Sequence, residues 1–126
     1  MCIRDSWYSK KQATVEASTF GAEFIAMRTL VEMAKSLRYK LRMFGIPIDG
    51  STNIYCDNEA VYQNTVIPES TLKKKHHSIA YHRYREAVAA KTIRVAKQGT
   101  KKNLADLFTK VLTILRRDFL LERFTY

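Results

Sequence analysis

Apolar residues recur through the first part of the chain at steps of three and four: Phe20, Phe24, Met27, Val31, Ala34, Leu37, Leu41 and Phe44. That spacing puts them along one side of a helix for roughly six turns, and Ser18 or Thr19 is a ready amino-terminal cap. Gly45-Ile46-Pro47 closes the helix, because glycine accepts the backbone conformation of a helix end and proline cannot continue a helix. Glu23 lies between Phe20 and Met27, at the border of the stripe. A carboxylate beside a buried face loses hydration, so an acid there needs a reason.

The pattern then changes period. Asp49-Gly50 makes a turn, and Thr52-Asn53-Ile54-Tyr55-Cys56 is rich in β-formers and reads as a strand. Asp57-Asn58 stands at its carboxyl end, and Glu59-Ala60-Val61-Tyr62-Gln63 begins a short helix. Asp57 has two readings. Ligands bind at the carboxyl ends of strands in open α/β sheets, and the same dipeptide is an ordinary cap for the helix that follows. Pro68 and a lysine run make a loop, after which a helix through roughly 78–90 sets Ile79, Tyr84, Ala87 and Val88 on one side.

Thr92-Ile93-Arg94-Val95-Ala96 alternates like a strand, with Gly99 opening a turn. The last helix starts near Asn103 and buries Leu104, Leu107, Phe108, Val111, Leu112 and Leu115. Asp106 falls in its first turn, where the helix dipole favours an anion; that is also the ordinary reason to find Asp there. With Trp7-Tyr8-Ser9 as the tail of an earlier strand, the order is strand, long helix, strand, short helix, helix, strand, helix. Such alternation predicts an α/β layer with helices packed on a sheet. Three strands are few for so long a stripe, which points to strands missing on the amino-terminal side.

Composition narrows the class. The 126 residues make one domain, 46% hydrophobic and 27% charged, which describes a globular chain rather than a disordered one. No apolar run reaches the roughly 18 residues of a membrane span, because Arg or Lys interrupts each one. Met1 to Ser6 lacks the apolar stretch of a secretory signal. Cys2 and Cys56 are too few for a disulfide framework or a zinc site. An intracellular location and no membrane partner are the expectation.

Charge adds a partner. Lys and Arg total 22 against 12 acids, a net +10, which suits a polyanion because each neutralised phosphate releases condensed counterions. The densest run is Lys73-Lys74-Lys75-His76-His77, followed by Arg83 and Arg85. Lys97, Lys101 and Lys102 precede the helix of Asp106, and Arg116-Arg117 lies further along it. Such runs are commonly solvated faces. Beside candidate carboxylates, Lys73, Lys74, Lys75, Lys101 and Lys102 become candidate nucleic-acid contacts.

The motifs carry a resemblance. Trp7-Tyr8-Ser9-Lys10-Lys11-Gln12 resembles the Trp-Ser-Ser-Lys-Lys-Gln segment in the ribonuclease H domain of copia-type retrotransposon polyproteins. Ser18-Thr19-Phe20-Gly21-Ala22-Glu23-Phe24 is similar to that family's Ser-Ser-Thr-Glu-Ala-Glu-Tyr, and Ile54-Tyr55-Cys56-Asp57-Asn58 matches its Ile-Tyr-Cys-Asp-Asn. Lys75-His76 and Tyr81-His82 fit its Lys-His…Tyr-His helix. Leu104-Ala105-Asp106-Leu107-Phe108-Thr109-Lys110 fits Leu-Ala-Asp-Ile-Phe-Thr-Lys, so the resemblance covers about residues 7–112 in one order.

The resemblance implies a ribonuclease H-like fold, with a mixed sheet and helices packed on it. It implies cleavage of the RNA strand of RNA–DNA hybrids, with the reverse transcriptase domain of the same polyprotein as partner. Its site has four carboxylates and two Mg²⁺ ions, Mn²⁺ being the alternative, in a two-metal hydrolysis. Glu23, Asp57 and Asp106 match three of the four acids, as catalytic and metal-ligating residues. The fourth is an Asp on the first strand, ahead of Trp7, and Asp5 is too near the third strand to replace it. The expectation is therefore a partial domain at 7–126, truncated at its amino terminus, with residues 1–6 a non-native leader, and inactive by itself.

Several departures matter. Gly21 stands where the family has a first Glu, which leaves Glu23 unambiguous. Gln98-Gly99-Thr100 offers no histidine to the site. His76, His77 and His82 read as helix and backbone partners, since Mg²⁺ prefers oxygen. Cys56, Trp7 and Tyr55 read as core. The alternative function is a non-catalytic, basic nucleic-acid-binding remnant. An integrase core fits less well, because its late-helix acid is Glu, whereas here the late acid is Asp106 and the Glu is early.

Overall fold

Two parallel strands anchor the layer. In a computed structural model that describes residues 8, 10–13, 15–16, 18–67 and 77–124, β1 (Thr52–Cys56) pairs with β2 (Ile93–Lys97), Ile54 standing against Val95. Three helices share the layer with the strands: α1 (Thr19–Met43), α2 (Glu59–Val66) and α3 (Ser78–Ala89). A turn of 3₁₀ helix (Thr100–Lys102), the single turn α4 (Asp106–Thr109) and α5 (Ile114–Phe124) complete the order. Parallel pairing needs a crossover, and α2 with α3 supplies it.

One face of the strand pair is covered. Ile54, Ile93 and Val95 are buried with Phe24, Met27 and Val31 of α1, Val61 of α2, and Ala80, Tyr81, Tyr84 and Ala87 of α3. Alternation turns Asn53, Tyr55 and Arg94 the other way, and all three are exposed. At the centre of the core Tyr84 packs edge-on against Phe24, rings 4.8 Å apart, and its hydroxyl donates to the Phe24 carbonyl. Burial pushes that phenol far above its ordinary range, so it stays a donor.

Local signals hold well. The Ser18 side chain accepts from Gly21 N at 3.2 Å, capping α1. Gly45 takes φ +75°, Gly45 N donates to Arg42 O at 2.9 Å and Ile46 N to Leu41 O at 3.0 Å. Those paired bonds satisfy carbonyls that a helix end leaves open.

Burial departs from the expected stripe. Leu37 of α1 and Phe44 just past its end are 58% and 79% exposed, because five-residue strands cover only about 17 Å of a 25-residue helix roughly 37 Å long. Ile79 is 67% exposed, while Ala80 and Tyr81 turn inward in its place. The expected long final helix is broken: Lys110 is extended at φ −133°, and Val111 and Leu115 stand in solvent. Thr109, Val111 and Thr113 are β-branched at alternate positions, which disfavours helix across that stretch. Leu120 of α5 is fully buried.

The sheet among the described residues has two strands, both parallel, so the antiparallel part of the expected mixed sheet is not among them. Trp7 and Ser9 of the expected first strand lie outside the described residues, as do Cys2, Asp5, Lys73, Lys74, Lys75 and His76. Among the described residues no helix is long and apolar enough to cross a membrane.

Candidate acidic groove

β1 and α1 run in opposite senses, so the second turn of α1 meets the carboxyl end of β1. There Glu23, Met27, Tyr55, Asp57, Asn103 and Ala105 line a groove of about 170 Å³. The two readings of Asp57 separate cleanly. Asn58 is the cap of α2, its side-chain oxygen accepting from Ala60 N at 3.0 Å and Val61 N at 3.3 Å. Asp57 is spared that duty. Neither Asp57 nor Glu23 has a hydrogen bond or ion pair among the described residues.

Their charges reach a common neighbour. Burial pushes the Cys56 thiol up, and the Asp57 and Glu23 carboxylates push it further. Two acids from distant segments therefore act on one thiol, and the thiol is kept protonated. Cys56 is half-buried at the strand end, close to the expected core position.

Asp106 is built differently. It follows Ala105 at the groove rim but is itself buried, with a carboxylate 2% exposed. Arg116 of α5 donates to its Oδ2 at 2.6 Å, and Lys110 Nζ approaches Oδ1 at 2.9 Å. Asp106 in turn raises the Lys110 ammonium above its ordinary value, with a smaller contribution from Asp57. Arg116 also donates to Thr100 O at 2.9 Å, so one guanidinium ties α5 to both α4 and the 3₁₀ turn. Asn103 holds the approach, its side chain accepting from Ala105 N at 3.1 Å.

The structure thus brings Glu23 and Asp57 to one groove and leaves Asp106 at its edge, neutralised by two cations. Among the described residues no group of three or more His, Cys, Asp or Glu side chains is placed to hold a metal ion. Glu23 and Asp57 still suit a hard divalent cation: both are oxygen donors, neither is paired among the described residues, and they share a groove. A nearby acid, Glu59, is already engaged by Lys97 and by Gln63 at 2.9 Å. That removes Lys97 from the expected basic cluster, while Lys101 and Lys102 are exposed just ahead of Asn103.

The histidines stand elsewhere. His77 is buried edge-on to Phe24, ring centroids 5.4 Å apart, and lies 3.5 Å from Glu16. Gly21 makes room for that acid, because a Cβ there would collide with the Glu16 carboxylate. His82 is exposed beside Tyr81.

Tyr55 corrects an expectation: it is 58% exposed and lines the groove rather than the core. Strand alternation was the signal, since Ile54 pointing inward sends Tyr55 outward. The pairing of Lys110 with Asp106 was legible as an i,i+4 contact. The reach of Arg116 across the break after α4 was not.

The sequence has relatives among known proteins. The chain is 32% identical over 107 residues, 85% of its length, to the retrovirus-related Pol polyprotein from transposon TNT 1-94 of Nicotiana tabacum. It is 32% identical over 108 residues, 86% of its length, to the Pol polyproteins from transposons RE2 and RE1 of Arabidopsis thaliana. The chain spans only 8% of the first of these relatives and 7% of the other two. No family model and no solved structure matches it. Its homologues are retrovirus-related Pol polyproteins of plant transposons.

Proposed function

We propose that the chain is part of the ribonuclease H region of a retrotransposon Pol polyprotein and serves hydrolysis of the RNA strand in RNA–DNA hybrids. The observation that carries this reading is the meeting of Glu23 and Asp57, without an ion pair among the described residues, in one groove at the carboxyl end of β1. Both stand at positions where the chain resembles the ribonuclease H motifs. Glu23 and Asp57 would hold a divalent cation, which when bound would supply activation of a water and offset negative charge at the leaving oxygen.

The chain's own residues prepare the site. Glu23 and Asp57 concentrate negative charge that attracts a cation, and the protonated Cys56 thiol does not compete as a soft ligand. Lys110 and Arg116 fix Asp106 beside the groove. Lys101 and Lys102, exposed ahead of Asn103, meet phosphates of the hybrid. Reverse transcriptase of the same polyprotein is the partner that generates the hybrid.

The test is Mg²⁺-dependent cleavage of end-labelled RNA–DNA hybrid by the longer polyprotein segment, reverse transcriptase included. Asp57→Asn and Glu23→Gln should each slow cleavage about a hundredfold or more, the rate equivalent of several kcal/mol of charge stabilisation. Cleavage at the parental rate by either variant overturns the reading.

The pairing of Asp106 with two cations, together with the +10 charge, favours one second reading: a basic nucleic-acid-binding module without catalysis. Tight hybrid binding by the longer segment with no Mg²⁺-dependent cleavage selects it.

A further inference from the structure

At the opposite end of β1 lies a larger and chemically inverted groove. It measures about 600 Å³, and its walls include Lys35, Arg38, Tyr39 and Arg42 of α1, Asp49 of the turn, and Lys91 after α3. Four cations face one acid. We infer that this groove binds the sugar–phosphate backbone of a single-stranded nucleic acid, with Tyr39 as a stacking surface for a base.

Three observations converge on that ligand. Lys35, Arg38 and Arg42 recur at steps of three and four on one side of α1, and a run from 35 to 42 covers about 10 Å of helix. That run can neutralise successive phosphates of a strand lying along the helix. Arg38 is preset: its guanidinium donates to Thr52 Oγ1 at 3.0 Å and to Gly50 O at 2.9 Å, which fixes the floor of the groove. Lys35, Arg42 and Lys91 have no ion pair among the described residues, so their charges are available.

Helix-dipole complementation explains basic residues in the last turn of α1, where Lys40 and Arg42 stand. It does not explain Lys35, which lies well before that turn, or Lys91 on another segment. Lys91 takes φ +53°, a conformation uncommon outside glycine, and Ser51 Oγ donates to its carbonyl at 2.7 Å. That bond ties the Lys91 turn to the groove wall across from α1. Tyr39 is 66% exposed within this basic lining. A cationic track with an aromatic ring beside it is how single strands are held without sequence preference. The surface is separate from the acidic groove, about one strand length of roughly 15 Å away, and the inference is independent of the nuclease reading.

The experiment uses the full 126-residue chain in EDTA, so that cleavage plays no part, with fluorescein-labelled 12-nucleotide DNA and RNA read by anisotropy. The triple substitution K35Q/R42Q/K91Q should weaken binding at least tenfold at moderate salt. It should also lower the slope of log affinity against log salt by about 2, at roughly 0.7 per lost phosphate contact. Tyr39→Ala should cost a further fivefold or more, the scale of one lost stacking contact at about 1 kcal/mol. Parental affinity and salt slope in the triple variant overturn the inference. Should that variant lose helical circular dichroism, the unaltered chain decides. A 4-thiouridine strand must crosslink to the 35–42 segment, and crosslinks found only elsewhere overturn it.

Discussion

Asp57 and Asp106 reach the same neighbourhood and are treated in opposite ways. Asp57 is half-buried at the end of β1 with no partner among the described residues, and the capping work beside it is done by Asn58. Asp106 is buried and held by Arg116 and Lys110. The difference follows from desolvation. A carboxylate removed from water needs compensating cations, whereas one left at a groove wall keeps its hydration and remains free to bind. Asp106 is tied to α5 through Arg116, whereas Asp57 stands at the groove wall.

Substitution should separate the two roles. Arg116→Ala leaves a buried carboxylate with Lys110 alone, and should cost about 2 kcal/mol of stability, below the usual figure for a fully buried pair because the guanidinium is partly exposed. Asp57→Asn in the same urea titration should change stability by less than about 0.5 kcal/mol, as substitutions away from such networks do. Equal losses would erase the distinction. A smaller effect sharpens the point at the next residue: Asn58→Ala removes the α2 cap and should cost about 1 kcal/mol. A larger loss from Asp57→Ala than from Asn58→Ala would return Asp57 to a capping role.

What the sequence revealed divides along the same physical line. Ser18 as a cap, Gly45 as a stop and Thr52 to Cys56 as a strand were legible because each depends on neighbours within a few residues. The groove positions of Glu23 and Asp57 were legible as places, through helix spacing and strand polarity. Whether a side chain is covered depends on what lies across from it, so the exposure of Leu37, Ile79 and Tyr55 escaped periodicity. The break after α4 escaped it too, because apolar residues at 111, 112 and 115 continue a helical spacing that the β-branched positions interrupt. Arg116 meets Asp106 only because of that break, which no i,i+4 rule foresees.

The acidic and basic ends of β1 extend the contrast to whole grooves: Glu23 and Asp57 without ion pairs at one end, and Lys35, Arg42 and Lys91 without ion pairs at the other, among the described residues. Glu23 and Asp57 are proposed above to form a cation site. Amide NMR spectra of the chain with substoichiometric Mn²⁺ test it directly, because the paramagnetic ion broadens only nearby signals. Broadening should centre on Glu23, Cys56 and Asp57, extend to Asn103 through Asp106, and be lost in Asp57→Asn. Broadening that survives Asp57→Asn unchanged, or that centres on Asp118 and Glu122 of α5, would contradict it.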